Sequence, residues 1–482
     1  MAMADWARRF AEWAERVVAE SGTPGIAVAT RVGGEPAYSA GFGHRDREAA
    51  LPVGPDTAFG IGSATKSFTA MAILQLQERG RLSVDDPVSR CLPDLRIPNM
   101  RGRTPIRIHH LLTHSSGLEP LGTLRLAMLR SLREDPDATG QGTGSQEADL
   151  QTATPIDTTD EMIAYLSSLD LEPLGAPGEA FSYSNDGFAL LGAIIERVAG
   201  TTYEAYLREH ILGPAGMARS GLDPDALGDD DVAVLYGRGP AAEDGTPGEV
   251  RRSPARWRRP AMYAAGSLWS TTNDLLRYLE VYRTGGRSGG VRLLSTASVD
   301  TMCARHIRCG QRQWYGYGLM TADDGDGPVR VGHGGASKGV AAQITLAPQL
   351  GLTVAVLANL MGAPSERVAT GLVRAFDGRD PGGEPPSRPA FDGSADGMDA
   401  FVGRYGSAEG ARVDVRRGDG AALTVVVGGM SLPARRIGER AFAVAMQGEE
   451  RVLEFPDAGG APALFFGLRL LRRLPAASAE AT

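Results

Sequence analysis

Lysine is nearly missing from this chain. Of 50 lysines and arginines in 482 residues only two, Lys66 and Lys338, are lysines. Cysteine is scarce as well: Cys91, Cys303 and Cys309 are too few to build a disulfide framework and read as reduced or incidental thiols. No run of eighteen apolar residues occurs, so no transmembrane helix is expected. A basic excess is lacking too. The formal charge of -8 and pI near 5.5 argue against a nucleic-acid or anionic-membrane partner, both of which reward a basic face. The first twenty residues place Trp6, Phe10, Trp13, Val17 and Val18 among Asp5, Arg8, Arg9, Glu12, Glu15 and Arg16. That spacing predicts an amphipathic helix rather than the apolar core of a signal peptide, so a cytosolic location is expected.

What is present describes an ordinary globular protein, 42% hydrophobic and 22% charged, long enough for more than one core. Strands are expected at Gly25–Val32 and Glu35–Gly43, joined at Gly33-Gly34, with a buried helix over Ser63–Arg79. Further helices are expected at Thr159–Ser168, Gly187–Ala199, Tyr203–Ile211, Asn273–Arg283 and Ser365–Phe376. Later strands are expected at Tyr315–Met320, Pro328–Gly332, Ala341–Ala347 and Leu352–Ala358. Strands, then helices, then strands predict an α/β (α+β) domain over residues 1–377, its antiparallel sheet built from both chain ends. A polar stretch over 119–157 breaks the pattern, with Thr123–Arg133 as a short helix, and reads equally as a functional lid or a disordered insert. Residues 378–397, rich in proline and glycine, read as a linker. Short, evenly spaced strands follow at Val413–Val415, Leu423–Val427, Ala441–Ala445, Val452–Phe455 and Ala463–Leu468, and predict a small closed or sandwiched β domain over 398–475.

The chemistry is read from three elements. Ser63-Ala64-Thr65-Lys66 puts a hydroxyl and an amine on one helix face, a nucleophile and a base once burial lowers the lysine toward neutrality. Two lysines would give this spacing by chance about one time in ten, and the bland alternative is a serine cap followed by a solvated lysine. In Tyr183-Ser184-Asn185 the alternation lets a phenol and a carboxamide face one cleft, against a core tyrosine and a capping asparagine. In His333-Gly334-Gly335 the glycines permit close backbone approach, and the N–H of Ala336 is a candidate oxyanion donor, against an ordinary hairpin turn.

In this order, the three elements resemble the motifs of the serine β-lactamase and penicillin-binding protein family, nearest its class C β-lactamase, D-Ala-D-Ala carboxypeptidase and esterase branch. The resemblance spans residues 20–376 and includes Asp85-Asp86-Pro87-Val88, Leu111-Leu112-Thr113-His114-Ser115-Ser116-Gly117-Leu118 and Ala265-Gly266-Ser267-Leu268-Trp269-Ser270. It implies a β-lactamase/transpeptidase-like fold with a lipocalin-like barrel after it. Ser63 would be the nucleophile, Lys66 and Tyr183 the base and proton shuttle, and Asn185, His333, Gly334, Gly335 and Ala336 would bind substrate, the N–H groups of Ser63 and Ala336 forming an oxyanion hole. His333 stands where penicillin-interactive members carry the lysine of Lys-Thr-Gly, which removes a charge for the substrate carboxylate. Lys338 reads as an exposed turn lysine, not as its replacement.

The expected activity is therefore hydrolysis of small-molecule or peptide esters and amides through an acyl-enzyme, with weak or no β-lactam turnover and no cofactor. Acyl transfer or peptide cyclisation is the rival within catalysis, and an acylated sensor without turnover the rival outside it. A zinc pair at His110 and His114 has the right spacing but no glutamate after His110. Arg251, Arg252, Arg256, Arg258 and Arg259 around Trp257 suit an acidic substrate, although a solvated loop is the plainer reading.

Overall fold

The computed structural model describes residues 4–97, 104–135, 152–227, 231–239, 248–253, 256–323, 325, 327–383, 388–391, 397–418, 423–446, 449–458 and 461–475. Much of the polar stretch after Asp135 and parts of the proline-rich linker lie outside them.

Nine antiparallel strands form the main sheet: β1 (Gly25–Val32), β2 (Glu35–Asp46), β3 (Leu51–Pro52), β4 (Ile307–Gly310), β5 (Gln313–Tyr315), β6 (Met320–Ala322), β7 (Arg330–Ser337), β8 (Val340–Ala347) and β9 (Leu352–Ala358), in the order β4-β5-β6-β7-β8-β9-β1-β2-β3. The two chain ends meet where β1 pairs with β9, from Ile26 opposite Ala358 to Val32 opposite Leu352. Alternation along these central strands serves two cores. Ile26, Val28, Val354 and Val356 face one side, against Phe10, Trp13 and Val17 of α1 (Asp5–Ser21) and Val368, Leu372 and Val373 of the helix Ser365–Phe376. Ala27, Ala29, Ala355 and Leu357 face the other, where α2 (Thr65–Glu78), α3 (Asn185–Ala199) and α4 (Thr272–Arg283) pack. α2 is buried on nearly every side, from Thr65 through Leu76, which explains its lack of a polar face.

Three expectations are corrected. The strand expected at Tyr315–Met320 is instead two strands, β5 and β6, because Gly316 and Gly318 break the run and Gly318 takes φ +66°. His333-Gly334-Gly335 lies inside β7, paired with Ile344, Gln343 and Ala342 of β8, and not in a turn. Lys338 is buried, 2% exposed, against the expected exposed turn lysine.

Beyond residue 397 eight strands close into a barrel: Gly403–Gly406, Arg412–Arg417, Leu423–Val427, Met430–Gly438, Ala441–Met446, Glu449–Glu454, Ala461–Phe466 and Arg469–Arg473. Pairing of Glu454 with Phe465 completes the ring, and Phe401, Tyr405, Val415, Phe442, Leu453 and Leu471 are among the side chains that fill it.

Candidate active site

Gly62 has φ +50° and opens a tight 3-10 turn, Gly62–Ala64, that runs straight into α2. Thr65 ties this turn down. Its hydroxyl donates to the Gly62 carbonyl at 2.7 Å and accepts from the N–H of Leu268 at 3.1 Å. Ser63 therefore sits on a turn held on both sides, with Lys66 one helical turn on. The Lys66 amine is 0% exposed and lies 3.2 Å from Ser63 Oγ and 2.9 Å from Asn185 Oδ1, and it also reaches the Ala265 carbonyl. Burial first, then the positive charges of Arg259 and Arg469, push its pKa well below the usual lysine value, with the carboxylate of Asp186 acting the other way.

Asn185 begins α3, and the cap is its neighbour Ser184, whose hydroxyl accepts from the N–H of Gly187 at 3.1 Å. That leaves the carboxamide for Lys66. Tyr183 faces the same way, its ring 4.9 Å from Lys66 Nζ. Burial raises the phenol to about 12, although a hydrogen bond with the Ser63 hydroxyl opposes the shift.

β7 closes the site from the third side. A Cβ built on Gly335 would lie 1.9 Å from the Ile61 carbonyl oxygen and 3.0 Å from Ser63 N, and one on Gly62 would lie 2.7 Å from Ala336 N. Only glycine lets the two backbones approach this closely. The N–H groups of Ser63 and Ala336 are thereby brought to one place, where a pair of donors can hold an oxyanion.

His333 reaches the site with both ring nitrogens already engaged. Ser184 N–H donates to His114 Nδ1 at 3.0 Å, His114 Nε2 meets the Tyr315 hydroxyl at 3.1 Å, and that hydroxyl meets His333 Nε2 at 3.0 Å. His333 Nδ1 contacts the Gly334 carbonyl. A single proton direction satisfies the whole chain with both imidazoles neutral, and burial agrees, lowering His333 to about 4 and His114 well below the usual histidine value. Both ring nitrogens of His333 are thus spent on internal partners. His110, which shares a zinc-like spacing with His114, accepts the Arg107 N–H at 3.0 Å, and no metal-holding group of three occurs among the described residues.

Residues 10–377 match the sequence profile of the family described as Beta-lactamase. The chain belongs to the beta-lactamase family. Esterase EstB of Burkholderia gladioli is 33% identical over 273 residues, 54% of this chain and 65% of that one. Putative penicillin-binding protein PbpX of Bacillus subtilis is 33% identical over 303 residues, 63% of each. The chain thus spans a little under two thirds of the length of these relatives. The octameric penicillin-binding protein homologue from Pyrococcus abyssi shares 30% identity and a TM-score of 0.68 over 96% of this chain and 99% of that one. The fold agrees with this membership: a large antiparallel sheet packed with helices, and a closed barrel after it.

Two side chains at this beta-lactamase-family site escaped the reading of its motifs. Arg469, on the barrel, holds its guanidinium 4.9 Å over the Tyr183 ring while paired with Glu409 at 2.8 Å. Arg259 belongs to the arginine-rich loop read as solvated, yet it is partly buried beside the Gly62–Ala64 turn that carries Ser63. Neither carries a local pattern; only the tertiary fold brings them in.

Proposed function

We propose that the protein hydrolyses esters or amides of modest size, D-configured peptide ends among them, through an acyl-enzyme on Ser63. The protonation pattern around Lys66 carries this reading. A neutral lysine amine has two N–H groups and one lone pair. Asn185 Oδ1 and the Ala265 carbonyl take the two N–H groups, so the lone pair is left for Ser63 Oγ at 3.2 Å, and the serine becomes the donor. Tyr183, raised to about 12, stays protonated at neutral pH and suits a relay rather than a primary base.

Ser63 Oγ attacks the substrate carbonyl as Lys66 takes its proton, and the N–H groups of Ser63 and Ala336 hold the developing oxyanion. Tyr183 and Lys66 then pass the proton to the leaving group. Water, activated by the same pair, releases the acid. His333 in place of a lysine leaves the third motif without a free cation, which favours esters and D-peptide ends over β-lactams. A screen of a chromogenic ester, a D-amino-acid amide and a β-lactam with wild type and Ser63→Ala tests the reading. Activity that needs Ser63 and is weakest on the β-lactam supports it; full activity in Ser63→Ala ends it. Product analysis with an added amine separates hydrolysis from acyl transfer.

A further inference from the structure

Arg259 stands apart from its neighbours in the same loop. Arg256 and Arg258 both pair with Asp225, at 2.6 and 3.5 Å. The Arg259 guanidinium instead donates to neutral oxygens: Nε to Ser267 Oγ at 3.0 Å, Nη1 to Ser337 Oγ at 3.3 Å, and Nη2 to the Gly266 carbonyl. No carboxylate pairs with it among the described residues. Burial alone shifts its pKa, down to about 10, with no acidic group opposing. A partly buried cation held by neutral acceptors alone, with no carboxylate beside it among the described residues, is costly and persists where something other than folding needs it.

Its place in the cleft is defined. Ser337 follows Ala336 directly on β7, and a Cβ on Gly266 would lie 3.4 Å from both Arg259 Nη2 and the Gly62 carbonyl carbon. The guanidinium therefore flanks the two proposed oxyanion donors. The Tyr183 ring instead takes Lys66 Nζ and the Arg469 guanidinium, each 4.9 Å from its centre. A leaving group must lie near the phenol that protonates it. With the leaving group placed at Tyr183, the path assigned to the acyl part follows Ala336–Ser337 and the Ala265–Ser267 segment, where Arg259 is held. Three of the five guanidinium N–H groups are used by neutral acceptors, and the rest suit a carboxylate.

We propose that Arg259 is the anion receptor of this site and takes a carboxylate carried by the acyl part of the substrate. This rests on the hydrolase reading above and supplies, on the acyl side, a charge that His333 does not.

The test uses two chromogenic p-nitrophenyl esters of the same chain length, one the half-ester of a dicarboxylic acid and the other its ω-carboxamide. Wild type, Arg259→Gln, Arg259→Lys and Ser63→Ala are compared, with Ser63→Ala setting the background. The expected result is a preference of tenfold or more in kcat/KM for the carboxylate ester in wild type, expressed mainly in KM. Arg259→Gln collapses that ratio to within about twofold, whatever happens to the shared kcat, and Arg259→Lys keeps part of it. No carboxylate preference in wild type, or an unchanged ratio in Arg259→Gln, overturns the assignment. If Arg259→Gln does not fold, the wild-type ratio and Arg259→Lys decide. Ser63→Ala turnover equal to wild type would instead overturn the hydrolase reading, so the two failures are distinct.

Discussion

The backbone N–H of Tyr183 donates to the carbonyl of Leu468 at 2.9 Å, joining the proposed catalytic cleft to the tip of a barrel hairpin. Gly467 and Leu468 both take positive φ, +58° and +65°, to make that two-residue turn, and a leucine in this conformation is costly. Its side chain packs with Phe181, Tyr183 and Tyr315, and the next residue but one, Leu470, donates its N–H to Ser182 Oγ at 3.2 Å. The barrel thus completes one wall of the site.

Arg469 follows on the same hairpin, and its charge is one cause of the lowered Lys66 pKa. Arg469→Ala is expected to raise the Lys66 pKa and move the acid limb of the kcat/KM profile to higher pH, with a loss of about tenfold at pH 7. A pH-rate profile on a neutral ester checks this. An unshifted limb means the arginine does not act through Lys66.

Asp186 provides the opposite sign. It is buried, with its carboxyl raised to about 6, and its charge raises Lys66. In the proposed mechanism the rate depends on neutral Lys66, so it climbs as pH rises through that pKa. Asp186→Asn removes the raising charge while Arg259 and Arg469 remain, so the limb is expected to move to lower pH. Lys66→Arg, which keeps a cation that cannot deprotonate, is expected to lose more than about a hundredfold in kcat at every pH. The same pH-rate series in both variants is the check.

Gly335→Ala tests the close approach of β7 to the nucleophile's turn. The new Cβ would meet the Ile61 carbonyl oxygen at 1.9 Å, and backbone cannot step aside as a side chain would. Loss of activity of about a hundredfold or more is expected, with destabilisation of several kcal/mol, on the order of an overpacked core. Steady-state kinetics and urea unfolding followed by tryptophan fluorescence read the two effects. Wild-type kinetics would show that the two N–H groups need no such contact.

Lys338 forms an ion pair with Asp135 in which both side chains are buried, and Trp257 Nε1 donates to the same carboxylate at 2.7 Å. This cluster pins the end of the described part of the polar stretch beside Ala336. Removing one partner strands the other charge, so Lys338→Met is expected to cost about 3 to 5 kcal/mol. Lys338→Met with Asp135→Leu should recover much of it. A urea-unfolding double-mutant cycle measures this, and additive costs would contradict the pairing.

Periodicity was a good guide where burial is one-sided or complete. The helix Thr159–Ser168 and the strands Leu352–Ala358 and Leu423–Val427 fall where their patterns place them. It failed where glycine interrupts strands, at Gly316 and Gly318, and where a strand does not alternate, at Arg469–Arg473, whose sequence is Arg-Leu-Leu-Arg-Arg. The three motifs are local patterns and could be read in order along the chain, whereas Arg259, Arg469, His114 and Tyr315 reach the site only through long-range packing. The buried Lys338 was misread for the same reason: its partner lies 203 positions away.

The central claim is that Ser63 carries the acyl group. Intact-protein mass spectrometry after rapid quenching with an activated ester tests it most directly, followed by peptide mapping. Wild type is expected to gain the mass of one acyl group, located on the peptide that contains Ser63, and Ser63→Ala to gain none while losing turnover. An adduct on another residue, or undiminished turnover in Ser63→Ala, would contradict the account.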